Sequence, residues 1–119
     1  MGITGGTSAL LVLDVSQLRN VTLNDEALMR EVVAALVSEV SQQIEGLSRA
    51  VQRGDAKACV TVAHNAYGAC GNVGAASMAA VFYSIERQAA NGNLGQCRSH
   101  VESLSVEMEK LRREVDAMG

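Results

Sequence analysis

Proline and tryptophan are absent from this 119-residue chain, and its only aromatic residues are two tyrosines and one phenylalanine. With no proline there is no obligatory helix break, and with so few aromatic residues a sheet lacks much of its preferred material. Charge of one sign is also missing. Ten basic and thirteen acidic residues are interspersed for a net charge of −3, so no basic stripe exists to neutralise a phosphate backbone, and nucleic acid is not an expected partner. The three cysteines, Cys59, Cys70 and Cys97, form no C-x-x-C pair and sit among small helix-forming residues. They read as free, buried thiols in a reducing compartment.

No long apolar run is present either. The stretch from Ala9 to Leu13 is too short for a membrane span, and no basic residues precede it as they would in a secretory signal, so a cytoplasmic location and no membrane partner are expected. The glycine-rich start sets residues 1–13 apart as a flexible N-terminal segment ahead of one domain over residues 14–119.

What the chain does have is helix-forming composition, rich in Ala, Val, Leu, Met, Glu, Gln and Arg. A short amphipathic signal at Val15, Leu18 and Val21 suits one or two turns capping a bundle. Asn24 reads as the N-cap of the next helix, which carries Leu28, Val32, Leu36, Val40, Ile44, Leu47 and Val51 at helical spacing and ends at Gly54. Asp55 caps a third helix, expected to break near Gly71 and Asn72. A fourth, with Met78, Val81, Phe82, Ile85 and Ala89 on one face, stops at the Asn91–Gly92–Asn93 turn. The last, from about Leu94 to Ala117, repeats apolar residues at Leu94, Cys97, Val101, Leu104, Met108, Leu111 and Val115. Alone, that stripe could be the seam of a helical oligomer. Short loops between four amphipathic helices favour instead an all-α, antiparallel four-helix bundle, and a monomer.

The third helix holds the one residue suited to chemistry. With about 100° per residue, Lys57, Thr61 and Gly68 fall within about 60° of His64, while Cys59, Val62, Ala66 and Cys70 lie roughly 160 to 240° away. His64 therefore faces solvent, with no side chain one turn further on at Gly68. Glycine inside a helix costs about 1 kcal/mol relative to alanine, so the bare patch calls for a reason. Other chemistries fail. Cys59 and Cys70 project away from His64, which rules out a shared metal site. The run from Gly68 to Gly74 follows no strand and precedes no Gly-Lys-Ser/Thr, so it is not a phosphate-binding loop. His100 sits beside the last helix's apolar stripe and reads as a surface residue.

The run H-N-A-Y-G-A-C-G-N-V-G, with His64, Gly68 and Gly74 in register, resembles the active helix of histidine-containing phosphotransfer (HPt) domains. The flanks A-V-Q-R-G-D, G-A-A-S-M-A-A-V-F-Y-S-I-E-R and N-G-N-L resemble that family too, so that the likeness extends from Leu13 to Ala117. It implies a phosphocarrier rather than a stand-alone enzyme, in which His64 accepts a phosphoryl group from, and donates it to, receiver-domain aspartates in a two-component phosphorelay. The implied partners are a response-regulator receiver domain and/or a hybrid histidine kinase. No cofactor of its own is implied, since Mg²⁺ comes with the receiver. The docking surface would surround His64 and include Val60, Thr61, Asn65, Tyr67, Gly68 and Gly71, with Val60 and Tyr67 as exposed apolar contacts. One position departs from the family: Tyr67 stands where a lysine is usual, and a phenol offers a hydrogen bond but no charge. Lys57 is about 10 Å back along the axis and leans away, so it cannot readily substitute. A slower or less stable phosphohistidine is therefore expected, and the alternative is an adaptor that binds a receiver domain or kinase without carrying phosphate.

Overall fold

Three aspartates set where helices begin. Asp14, Asp25 and Asp55 each turn a carboxylate oxygen onto a free N–H three residues ahead, accepting from Gln17, Leu28 and Ala58 at 3.2, 3.0 and 3.0 Å. The computed structural model describes residues 11–118, so most of the N-terminal segment expected to be flexible lies outside the described residues. Its helices are α1 (Val15–Val21), α2 (Glu26–Arg53), α3 (Ala56–Val73), α4 (Ala76–Ala90) and α5 (Leu94–Ala117).

Two boundaries differ from the sequence reading. The N-cap of α2 is Asp25, not Asn24. Asn24 instead follows Leu23 in left-handed backbone, at φ 64° and 54°, a conformation asparagine tolerates better than most residues. The second concerns α3, which runs through Gly71 and Asn72 to Val73 and ends at left-handed Gly74. Its last carbonyls are not stranded. The Cys70 carbonyl accepts from Gly74 and Ala75 N–H, and the carboxamide of Gln17 on α1 donates to the carbonyls of Gly71 at 2.6 Å and Asn72 at 3.3 Å. A side chain from another helix thus supplies what local sequence does not.

Helices α2 to α5 form an antiparallel four-helix bundle in which each packs on its chain neighbour and α5 closes back on α2, while α1 lies against α2 and α3. Phe82, Leu18, Leu47, Met78, Ile85, Leu104 and Leu111 are fully buried at its centre. Cys97, Leu104, Met108 and Leu111 of α5 face this core, so the heptad-like stripe is consumed within the chain. The inward face of α3 is small, being Cys59, Ala63, Ala66 and Cys70. Its backbone can approach its neighbours closely, and the most extensive helix packing is between α3 and α4. Gly74 fixes that junction: at φ 98° an added Cβ would lie 3.0 Å from the Asp14 carbonyl oxygen, and the Asp14 N–H donates to the Gly74 carbonyl at 2.8 Å. Leu13, the residue before it, is buried.

All three cysteines are free and buried. Burial, with a lesser push from Glu39, raises the Cys70 thiol to about 12 from the ordinary 9.0. Above pH 9 the unfolded chain has lost this proton while the folded chain keeps it, so stability should fall as pH rises from 9 toward 12, by at most about 1.4 kcal/mol per unit from this group. Urea unfolding of wild type and Cys70→Ala at pH 8, 9.5 and 10.5 checks this. The alanine variant should lose less over the interval, and parallel declines would refute the assignment.

Candidate functional site

The antiparallel packing of α3 on α4 pairs residues about the turn between them. His64 and Glu86 each lie eleven residues from Ala75, and Tyr67 and Tyr83 each lie eight from it. Both pairs meet. His64 Nδ1 is 3.2 Å from Glu86 Oε2, and the two tyrosine rings pack with centroids 5.5 Å apart and planes tilted by 42°. The His64 side chain is 67% exposed while that of Glu86 is only 25% exposed, so the carboxylate is a fixed support and the imidazole the accessible partner.

An ionised carboxylate can only accept, and the contact therefore places the neutral ring's proton on Nδ1 and leaves the Nε2 lone pair free. This couples the ring's orientation to its tautomer. One turn on, beyond its chain neighbours and the local helix backbone, no atom comes within 4 Å of the point where a Gly68 Cβ would stand. A second protein can thus reach Nε2 over bare backbone.

One turn further along, a groove of about 530 Å³ opens between the end of α3 and the start of α4. Tyr67, Tyr83 and Gln17 wall it, and Gly68, Gly71 and Ala79 are among the small residues lining it. Gln17 is held there by its bonds to the Gly71 and Asn72 carbonyls, so α1 contributes one rim. Beyond Tyr83 its hydroxyl accepts from Arg87 Nη1 at 3.2 Å, and the guanidinium carbon lies 5.7 Å from the ring centroid.

Of the residues expected to surround His64, Thr61, Asn65, Tyr67, Gly68 and Gly71 are exposed on α3, the Thr61 hydroxyl being turned back onto the Lys57 carbonyl at 3.2 Å. Val60 differs from expectation. It is half-buried and packs against the core, because its edge of α3 is covered by a neighbouring helix that the angular count on α3 alone does not include. Sequence reasoning missed Glu86, Tyr83, Arg87 and Gln17. The first two were accessible in principle, by counting equal distances outward from the α3–α4 turn, and Arg87 as the residue one turn beyond Tyr83; Gln17 carries no such signal. His100 is half-buried on α5. Among the described residues no group of three or more His, Cys, Asp or Glu side chains is placed to hold a metal ion.

Comparison with known proteins bears on this geometry. A family model described as "Hpt domain" matches residues 31–118. Among solved structures the chain is similar to the crystal structure of histidine-containing phosphotransfer protein B (HptB) from Pseudomonas aeruginosa PAO1, with 24% identity, a TM-score of 0.83, and coverage of 92% of this chain and 95% of that one. At that identity the structural likeness speaks for the fold alone. No curated protein sequence matches this chain.

Proposed function

The chain belongs to the Hpt domain family, and from that premise we propose that it serves as the histidine phosphotransfer component of a two-component phosphorelay, with His64 carrying the phosphoryl group. The observation that carries this reading is the exposed His64 ring held through Nδ1 by Glu86, with no side chain one turn further on at Gly68.

The chemistry follows from that arrangement. Nε2 attacks the phosphorus of a receiver's aspartyl phosphate in line; the Nε2–P bond forms, the P–O bond to the acyl oxygen breaks, and the aspartate leaves as a carboxylate. No proton need move at that step, because the Nδ1 proton stays in place. The ring becomes cationic, and the Glu86 carboxylate 3.2 Å away offsets the new charge. The reverse sequence returns the group to another aspartate. Mg²⁺ and the acidic pocket belong to the receiver domain, and this chain supplies a positioned nucleophile and a place to dock. Thr61, Asn65, Tyr67, Gly68 and Gly71, with the groove beyond them and the edge at Val60, form that docking face.

The partner class implies a cytoplasmic location and a monomer that exchanges partners. Among the described residues no helix is long and apolar enough to cross a membrane. Incubation with a phosphorylated receiver domain and Mg²⁺ should place an acid-labile, alkali-stable label on this chain, mapping to the peptide that contains His64. A chain that binds the receiver and never acquires label, or acquires it at His100, would overturn the reading; the former result would describe an adaptor.

A further inference from the structure

A phosphoryl group on His64 would bring two negative charges to a ring that already touches a carboxylate, Glu86. Nothing on α3 offsets them. The residues one turn either side of His64 are Val60, Thr61, Tyr67 and Gly68, none of them cationic. Lys57 is about 10 Å away along the axis, and helical side chains lean toward the N-terminus, away from His64.

The neighbouring helix has what α3 lacks. Arg87 follows directly on Glu86, and successive Cα atoms are about 3.8 Å apart, so its longer side chain starts from almost the same level as the carboxylate that reaches the imidazole. Its guanidinium is fully exposed. At present it lies against Tyr83, donating to the hydroxyl at 3.2 Å with its carbon 5.7 Å from the ring centroid; Tyr83 in turn packs on Tyr67. Tyr67 occupies the very position, three residues after His64, at which the related domains usually hold a lysine. The Arg87–Tyr83–Tyr67 ladder therefore begins with a cation on α4 and ends at the site of the missing cation on α3.

On the basis of the phosphocarrier reading, we propose that Arg87, parked on Tyr83 in the unphosphorylated protein, is the cation that pairs with the phosphoryl group on His64 and so takes over the role of the absent lysine. Arginine suits a swing of this kind. Its planar fork can give two N–H groups to phosphoryl oxygens, and its weakly hydrated face can rest on an aromatic ring meanwhile. Tyr83 keeps the long side chain close to the site, which reduces the freedom lost when the ion pair forms.

The test uses the full chain, a receiver domain with Mg²⁺, and three substitutions. Arg87→Gln should lower the equilibrium share of phosphoryl on His64 relative to the receiver by about three- to fivefold, the scale an exposed ion pair supports. It should shorten the phosphohistidine lifetime measured without receiver by a similar factor, while the thermal unfolding midpoint stays unchanged. Arg87→Lys should keep most of the parent behaviour. Tyr67→Lys should restore the share in the Arg87→Gln background and change it less than about twofold in the parent, since a cation is already present there. An unchanged share and lifetime in Arg87→Gln, or an equal gain from Tyr67→Lys in both backgrounds, overturns the assignment of Arg87. A parent chain that takes up no label overturns the phosphocarrier reading itself and this inference with it.

Discussion

A leucine placed at Gly68 is expected to suppress phosphoryl uptake nearly as thoroughly as His64→Gln, by about 100-fold or more, without unfolding the bundle. That factor is what a displacement of reacting groups by roughly 1 Å can cost. The space is there: beyond its chain neighbours and the local backbone of α3, no atom lies within 4 Å of where the new Cβ would stand. Helix propensity also favours the change, since glycine is the weaker former by about 1 kcal/mol relative to alanine. The penalty falls entirely on approach. Side chains on a helix lean toward the preceding turn, so a residue at position 68 would lie over His64 and across the route by which an acyl phosphate comes into line with Nε2. Gly68→Ala, adding one methyl group, should slow transfer less and raise the unfolding midpoint slightly. Initial transfer rates from a phosphorylated receiver, read beside thermal unfolding, decide the matter. A leucine variant that accepts phosphate at the parent rate would show that the receiver does not come in over this patch.

That glycine was visible in the sequence because helix angle alone sets it beside His64. The same count put Cys59, Val62, Ala66 and Cys70 in the core and His64 in solvent; all are so placed except Val62, which is half-buried against the core. Four amphipathic stripes, the stops at Gly54 and Asn91–Asn93, and a break placed three residues early at Gly71 and Asn72 were enough for the bundle, since a 3.6-residue period with glycine punctuation leaves few alternatives. The misreadings arise where a second helix intervenes. α3 extends past Gly71 and Asn72 because Gln17, more than fifty residues earlier, accepts the duty of bonding their carbonyls. Val60 is half-buried because its edge of the helix meets a neighbour. Glu86 carries no distinguishing mark within α4 itself, and it stands opposite His64 only because α4 packs antiparallel on α3. Half of the site is thus written in one helix's periodicity. The other half depends on a register between two helices, for which the α3–α4 turn is the only guide in the sequence.

Phe82→Ala should show how far the site depends on that register. Phe82 is the only phenylalanine in the chain, is 0% exposed, and shares the inner face of α4 with Met78, Ile85 and Ala89. Loss of a buried phenylalanine ring typically costs about 3–5 kcal/mol, a large part of the roughly 5–15 kcal/mol that holds a domain together. For a chain of this size the unfolding midpoint should drop by roughly 10–25 °C. The cost should stand near the top of that range because the facing surface of α3 is made of alanines and cysteines, side chains too short to move into the cavity. Phe82→Leu, which keeps most of the volume, should cost under about 2 kcal/mol. Function adds a second consequence. Phe82 precedes Glu86 by one turn and adjoins Tyr83, so the buried ring holds the part of α4 whose outer edge carries the carboxylate on His64 and the aromatic contact with Tyr67. Well below its lowered midpoint the alanine variant should still accept phosphate, more slowly than the parent, and should lose that activity on warming at temperatures the parent tolerates. Urea or thermal unfolding gives the stability and labelling at two temperatures gives the function. A midpoint shift of less than about 4 °C would mean that Phe82 is not the wedge that sets α4 against α3, and that the His64–Glu86 contact owes its register to some other part of the interface.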